Sequence, residues 1–114
     1  MSTSTSPKRI VILTNEEINK ISIGNSNLDL NKLFIEKSGK KYKINNNEKI
    51  ILEKMIRSSG KVFSREEIGK LININKERSI DVIITRLRQK IEINSRNPQY
   101  LQTIRGTGYV LWIE

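Results

Sequence analysis

Apolar positions alternate in short stretches before residue 45 and then recur at helical spacing, so the chain predicts strands first and helices afterwards. Ile21/Ile23, Leu28/Leu30, Leu33/Ile35 and Tyr42/Ile44 read as four short strands, with turns at Gly24-Asn25 and Ser38-Gly39. Asn45 with Glu48 forms a helix-start signature before a stripe of Ile51, Leu52, Met55 and Ile56, which Gly60 closes. Val62-Phe63 lead into a second such box, Ser64 with Glu67, opening a helix that carries Ile68, Leu71 and Ile72. A third helix runs from about Glu77 to about Ile93. At about 100° per residue its Ile80, Ile84, Leu87 and Ile91 share one face. After Pro98, two β-rich runs flank Arg105-Gly106-Thr107-Gly108, a hairpin whose glycines permit the positive φ of a tight turn.

The polar side of the third helix changes the picture. Val82 falls almost opposite the apolar stripe, among Arg78, Ser79, Thr85, Arg86, Gln89 and Lys90. Such a face suits the DNA major groove, where an arginine forks onto guanine and a branched methyl touches thymine. A solvated face with one stray valine would look the same, so the hairpin is needed to separate the two. Arg105 at its tip suits a narrow minor groove beside the site the helix reads; the plain alternative is a surface arginine on a turn. The order helix, helix, basic helix, hairpin describes a winged helix-turn-helix of the α+β class, with a small antiparallel sheet in front.

Composition narrows the partners. The 114 residues suffice for one domain with a modest core, and 21 Lys+Arg against 12 Asp+Glu give a net charge of +9. That balance favours a polyanion, either nucleic acid or an anionic membrane surface. Lysine is spread through the first half, whereas five of the eight arginines (Arg78, Arg86, Arg88, Arg96, Arg105) fall between 78 and 105. No apolar run is long enough to span a bilayer, and there is no signal peptide, so no membrane role is expected. Without cysteine or histidine there is no disulfide, no thiolate or imidazole metal site and no nucleophile system built on either. No cofactor is implied. The absence of cysteine suits a reducing cytoplasm.

These residues resemble the C-terminal effector domain of the OmpR/PhoB family of bacterial response regulators. Arg78-Ser79-Ile80-Asp81-Val82 and Leu87-Arg88 match its helix pattern, and Thr103-Ile104-Arg105-Gly106-Thr107-Gly108-Tyr109 its wing pattern. The likeness extends back through Ser64–Ile68 to the strands near Ile21, roughly four fifths of the chain. It implies sequence-specific binding of double-stranded DNA by the output domain of a two-component regulator, not an enzyme, acting in the cytoplasm at the bacterial nucleoid. Arg86 is then the first choice for a base-edge contact and Val82 for a thymine methyl, with Arg78, Ser79, Thr85 and Gln89 within reach of bases or phosphates. Arg88 points sideways, and the resemblance implies a phosphate contact there. Thr103 and Tyr109 match positions that hold the DNA backbone, and Arg105, with Gly106 and Thr107, belongs to the minor groove. Asp81 reads as structural, favouring the helix dipole and pairing with a neighbouring arginine. Trp112 reads as core or wing packing.

The family also implies a receiver domain, a sensor kinase and head-to-tail pairing on direct repeats, none of which the chain itself displays. A serine-rich start favours an excised effector domain over a stand-alone one. RNA polymerase is a partner the resemblance offers, but the connector after the second helix is short for contact through that loop. Residues 1–19 read as a tail or linker, partly disordered, with room for one strand near Arg9–Leu13 and an unassigned polar stretch after it; the domain proper is 20–114. The rival classes are a basic domain that coats RNA or DNA without specificity, and a module docking an acidic protein.

Overall fold

Three helices begin with the same local chemistry. In the computed structural model, which describes residues 13–113, α1 (Asn15–Asn19), α2 (Asn46–Arg57) and α3 (Arg65–Ile72) each start at a reciprocal capping box, Thr14/Glu17, Asn45/Glu48 and Ser64/Glu67. Each box satisfies two amide groups that the first helical turn leaves without partners. The fourth helix, α4 (Glu77–Ile91), starts at Lys76 with no side-chain cap. Tertiary contacts must therefore hold its first turn.

Between α1 and α2 lies an antiparallel meander of β1 (Lys20–Ile23), β2 (Ser26–Asp29), β3 (Phe34–Lys37) and β4 (Lys40–Lys43). Its tight turns pass through Gly24 (φ +58°) and Gly39 (φ +79°), where the expected turns lie. A second sheet has three strands in the order β5 (Val62–Phe63), β7 (Gly108–Leu111), β6 (Leu101–Ile104). β6 and β7 are the wing, and β5 anchors it to the helices. Gly108 allows that anchoring: a Cβ there would lie 2.0 Å from the Phe63 carbonyl oxygen.

The helices pack between the sheets, and β3 lies against α4. Ile80, Ile84, Leu87 and Ile91 are all at most 1% exposed, in one core with Ile35, Leu52, Met55, Ile56, Ile68 and Leu101. Each such side chain contributes about 1.5–3 kcal/mol by leaving water, so this stripe fixes which face of α4 remains outside.

The structure departs from the sequence reading in four places. Asn15–Asn19, assigned there to a tail, form α1, whose Ile18 is 1% exposed and part of the core. A five-residue helix is too short for a visible apolar period, although Thr14 and Glu17 carried its signal. Val62-Phe63, expected as a lead-in, pair with β7 as a third wing strand. α2 ends at Arg57, and Gly60 (φ +90°) instead turns the chain so that its N–H reaches the Leu111 carbonyl at 3.0 Å. α4 stops at Ile91, two residues before the expected end. The strand expected near Arg9 and residues 1–12 of the expected tail fall outside the described residues.

Candidate nucleic-acid interface

With the apolar stripe buried, the opposite side of α4 is a continuous outward strip. Arg78, Val82, Thr85, Arg86 and Gln89 are exposed, and together with Asp81 they line one shallow depression of about 340 Å³. Val82 is 42% exposed at its floor. Ser79, half-buried at the edge, completes the expected set. Among the described residues, no hydrogen bond or ion pair engages the side chains of Arg78, Arg86 or Gln89. Thr85 donates its hydroxyl to the Asp81 carbonyl at 2.9 Å. The strip thus presents guanidinium forks, an amide and a methyl group, all free to pair outward.

One acid interrupts this surface, and the fold neutralises it. Asp81 Oδ1 accepts from Arg65 Nε at 2.8 Å and from the Tyr109 hydroxyl at 2.5 Å. Burial works to raise its pKa, but the two hydrogen bonds and the Arg65 charge outweigh it and hold the carboxyl below its ordinary value. Burial and the same bond push the Tyr109 hydroxyl up. The arginine expected beside Asp81 is therefore Arg65, one helix earlier, and local spacing gives no sign of that partner.

The flank of α4 is committed to the fold. Arg88 donates from Nε to the Leu101 carbonyl at 2.8 Å and from its terminal nitrogen to Thr103 Oγ1 at 2.5 Å, with its guanidinium 5.5 Å from the Tyr109 ring centre. Half-burial lowers its pKa, against the raising influence of Tyr109 and Glu92. Arg88 is thus first a brace between α4 and the wing. Tyr109, expected at the DNA backbone, is only 6% exposed and has its hydroxyl occupied by Asp81. Thr103 is exposed but already accepts from Arg88. Lys90 lies 3.0 Å from both oxygens of Glu48, the buried α2 capping residue. Lys37 of β3 donates to the carbonyls of Gln89 (2.6 Å) and Glu92 (2.7 Å), closing the C-terminal end of α4. A cation there also favours the helix dipole.

At the wing tip, Arg105, Gly106 and Thr107 are exposed in a turn closed by the Thr107 N–H on the Ile104 carbonyl at 2.9 Å, with Gly106 at φ +75°. The connector Asn73–Lys76 is tight: Asn73 is left-handed (φ 59°), and a Cβ on Gly69 would meet the Ile74 carbonyl at 2.3 Å. Trp112 packs over Gly60, as expected of a packing residue. No helix among the described residues is long and apolar enough to cross a membrane, and no metal-ligand cluster occurs among them.

Residues 39–111 match the family described as transcriptional regulatory protein, C terminal. The chain belongs to this family. A probable transcriptional regulator of Cyanidium caldarium is 36% identical over 104 residues, covering 83% of this chain and 42% of that protein. The chain therefore spans well under half the length of such relatives. The OmpR/PhoB homolog DrrB, a response regulator of Thermotoga maritima, superposes with a TM-score of 0.71 at 27% identity, over 82% of this chain and 44% of that one. The RstA DNA-binding domain of Klebsiella pneumoniae, solved in complex with the RstA box, gives 0.67 at 24% identity over 83% and 98%. The domain has the OmpR/PhoB winged-helix fold, and its family is a transcription-factor domain rather than an enzyme.

Proposed function

We propose that this domain binds double-stranded DNA in a sequence-specific manner, as the output domain of a response regulator. α4 lies in the major groove. Arg86 forks onto a guanine edge, Val82 packs on a thymine methyl, and Arg78, Ser79, Thr85 and Gln89 reach neighbouring bases or phosphates. Arg105 enters the adjacent minor groove from the wing tip, with Gly106 and Thr107 along the backbone. Arg88, Thr103 and Tyr109 act at one remove: they hold the wing at its angle to α4, with Arg88 and Thr103 facing a phosphate from the wing stem.

A single observation supports this reading most strongly. Arg78, Val82, Arg86 and Gln89 project together with no side-chain hydrogen bond or ion pair among the described residues, while Ile80, Ile84, Leu87 and Ile91 are buried. A helix that merely contributed charge would not need a solvent-exposed valine between two free arginines. Kinship extends the proposal to a receiver domain and sensor kinase that govern the output, to head-to-tail pairing on direct repeats, and to RNA polymerase through a surface other than the short Asn73–Lys76 connector.

Competition tests the reading. The chain, bound to a duplex selected from a random pool, is challenged with a large excess of mixed-sequence duplex. A specific reader keeps its site, because specific binding exceeds non-specific binding by about 10³–10⁷. Loss of the selected duplex in proportion to the competitor would leave a non-specific basic nucleic-acid binder.

A further inference from the structure

The loop leaving α4 is folded around a buried charge. Glu92, 2% exposed, accepts the N–H groups of Gln99 (2.8 Å), Tyr100 (3.0 Å) and Leu101 (2.7 Å). Asn94 closes the bend: its side chain accepts from the Arg96 N–H at 3.1 Å and its carbonyl from the Asn97 N–H at 3.0 Å. The loop's shape therefore does not depend on the Arg96 side chain, which is exposed and engages no other described residue.

This bend sets Arg96 beside Arg88, Gln102 and Thr103 at the stem of the wing, where with Ser95 and Pro98 they line an open notch of about 430 Å³. Two guanidinium groups and no carboxylate line it. Neither Arg88 nor Arg96 has an ion pair among the described residues. Gln102 donates one amide hydrogen to the Gln99 carbonyl at 3.3 Å and keeps a second available. The half-buried Arg88 hydrogen-bonds only neutral acceptors, with the buried Glu92 carboxylate acting on it at a distance and turned to its own three N–H groups, so no carboxylate stands between an anion in the notch and the guanidinium.

We propose that Arg96 is a phosphate-binding residue that joins Arg88 and Thr103 in seating one phosphodiester of the bound duplex in this notch. The inference rests on the DNA-binding reading and adds a second cation, Arg96, to the wing-stem phosphate contact of Arg88 and Thr103. Two cations with fixed neutral donors suit a tetrahedral oxyanion, because charge-assisted hydrogen bonds to phosphate oxygens are short and strong. Since Glu92 orders the loop beforehand, little conformational entropy is lost on contact.

The test uses the 114-residue chain and a short duplex carrying the site selected from a random pool, with affinity followed by fluorescence anisotropy across salt concentrations. Loss of one phosphate contact makes the slope of log affinity against log salt shallower by about 0.9, equivalent to a roughly eightfold loss near 0.1 M salt. Arg96→Ala should show that change while melting with the wild type, and Arg96→Lys should retain most of the slope. In a scan of single methylphosphonate linkages, one neutral position should weaken the wild type and weaken Arg96→Ala distinctly less, since only Arg88 then remains at that phosphate. An unchanged slope in Arg96→Ala, with wild-type binding intact, overturns the anchor and leaves the DNA reading standing. A shallower slope with no such linkage makes Arg96 a diffuse source of field and also overturns the seat. Failure of the wild type to bind any duplex overturns both.

Discussion

On α4, Arg86 and Arg88 are two residues apart, yet one guanidinium is free and the other joins the helix to the wing through Leu101 and Thr103. The contrast extends along the helix. The outward strip of Arg78, Val82, Arg86 and Gln89 has side chains with no polar partner among the described residues. The flank of Asp81, Arg88 and Lys90 is bonded to Arg65, Tyr109, Thr103 and Glu48. Charge alone does not distinguish a reading residue from a bracing one. What distinguishes them is the angle each makes with the buried stripe, because side chains at its edge can reach neighbouring elements and those opposite it cannot.

If the flank is structural, substitutions there should act on stability first. The largest effect is expected where the loop is clamped. Glu92→Ala leaves three N–H groups without their acceptor, the buried one of Leu101 at about 1–3 kcal/mol and the part-buried two at less, so a loss of about 3 kcal/mol should appear in urea denaturation. A loss under 1 kcal/mol would mean water or another acceptor replaces the carboxylate. Arg88→Ala should follow, at about 1.5–3 kcal/mol for hydrogen bonds from a charged donor. Its melting temperature should fall in the absence of DNA, which a residue serving only as a phosphate contact would not show.

Asp81→Asn should cost less, about 1 kcal/mol, since its side chain is 39% exposed and solvent screens the Arg65 pair. Its signature is pH dependence. The folded pKa of Asp81 lies below the ordinary value, so its stabilisation is fully present above the unfolded value of about 3.9 and is lost as pH falls through the folded value. The gap in melting temperature between wild type and Asp81→Asn should therefore be widest near about pH 6 and narrow on acidification. A gap independent of pH would remove the carboxylate's charge from the account.

What was legible in the sequence follows the same division. Periodicity showed the buried stripe and the outward strip, because both are set by the pitch of one helix. Asn45/Glu48 and Ser64/Glu67 marked helix starts because capping partners are three residues apart. The wing was visible in its glycines. The braces were not: Arg65 meets Asp81 across 16 residues, Lys37 meets Glu92 across 55, and Lys90 meets Glu48 across 42. No local period encodes such pairs, which exist only once helices and sheets have packed. Tyr109 shows the consequence. The family resemblance implied a DNA-backbone contact there, and the bond its hydroxyl donates to Asp81 could not be read from the sequence.

The most direct test of the division between strip and flank is a selection of bound duplexes from a random pool, carried out in parallel with the wild type and Arg86→Ala. Thermal stability is measured for both. The wild type should enrich a defined site. Arg86→Ala should melt within about 0.5 kcal/mol of it, bind that site about 1–3 kcal/mol more weakly, and lose preference at one guanine position. An Arg86→Ala pool with the same consensus and affinity, or a wild type that enriches nothing, would contradict the assignment of α4's outward strip as the reading surface.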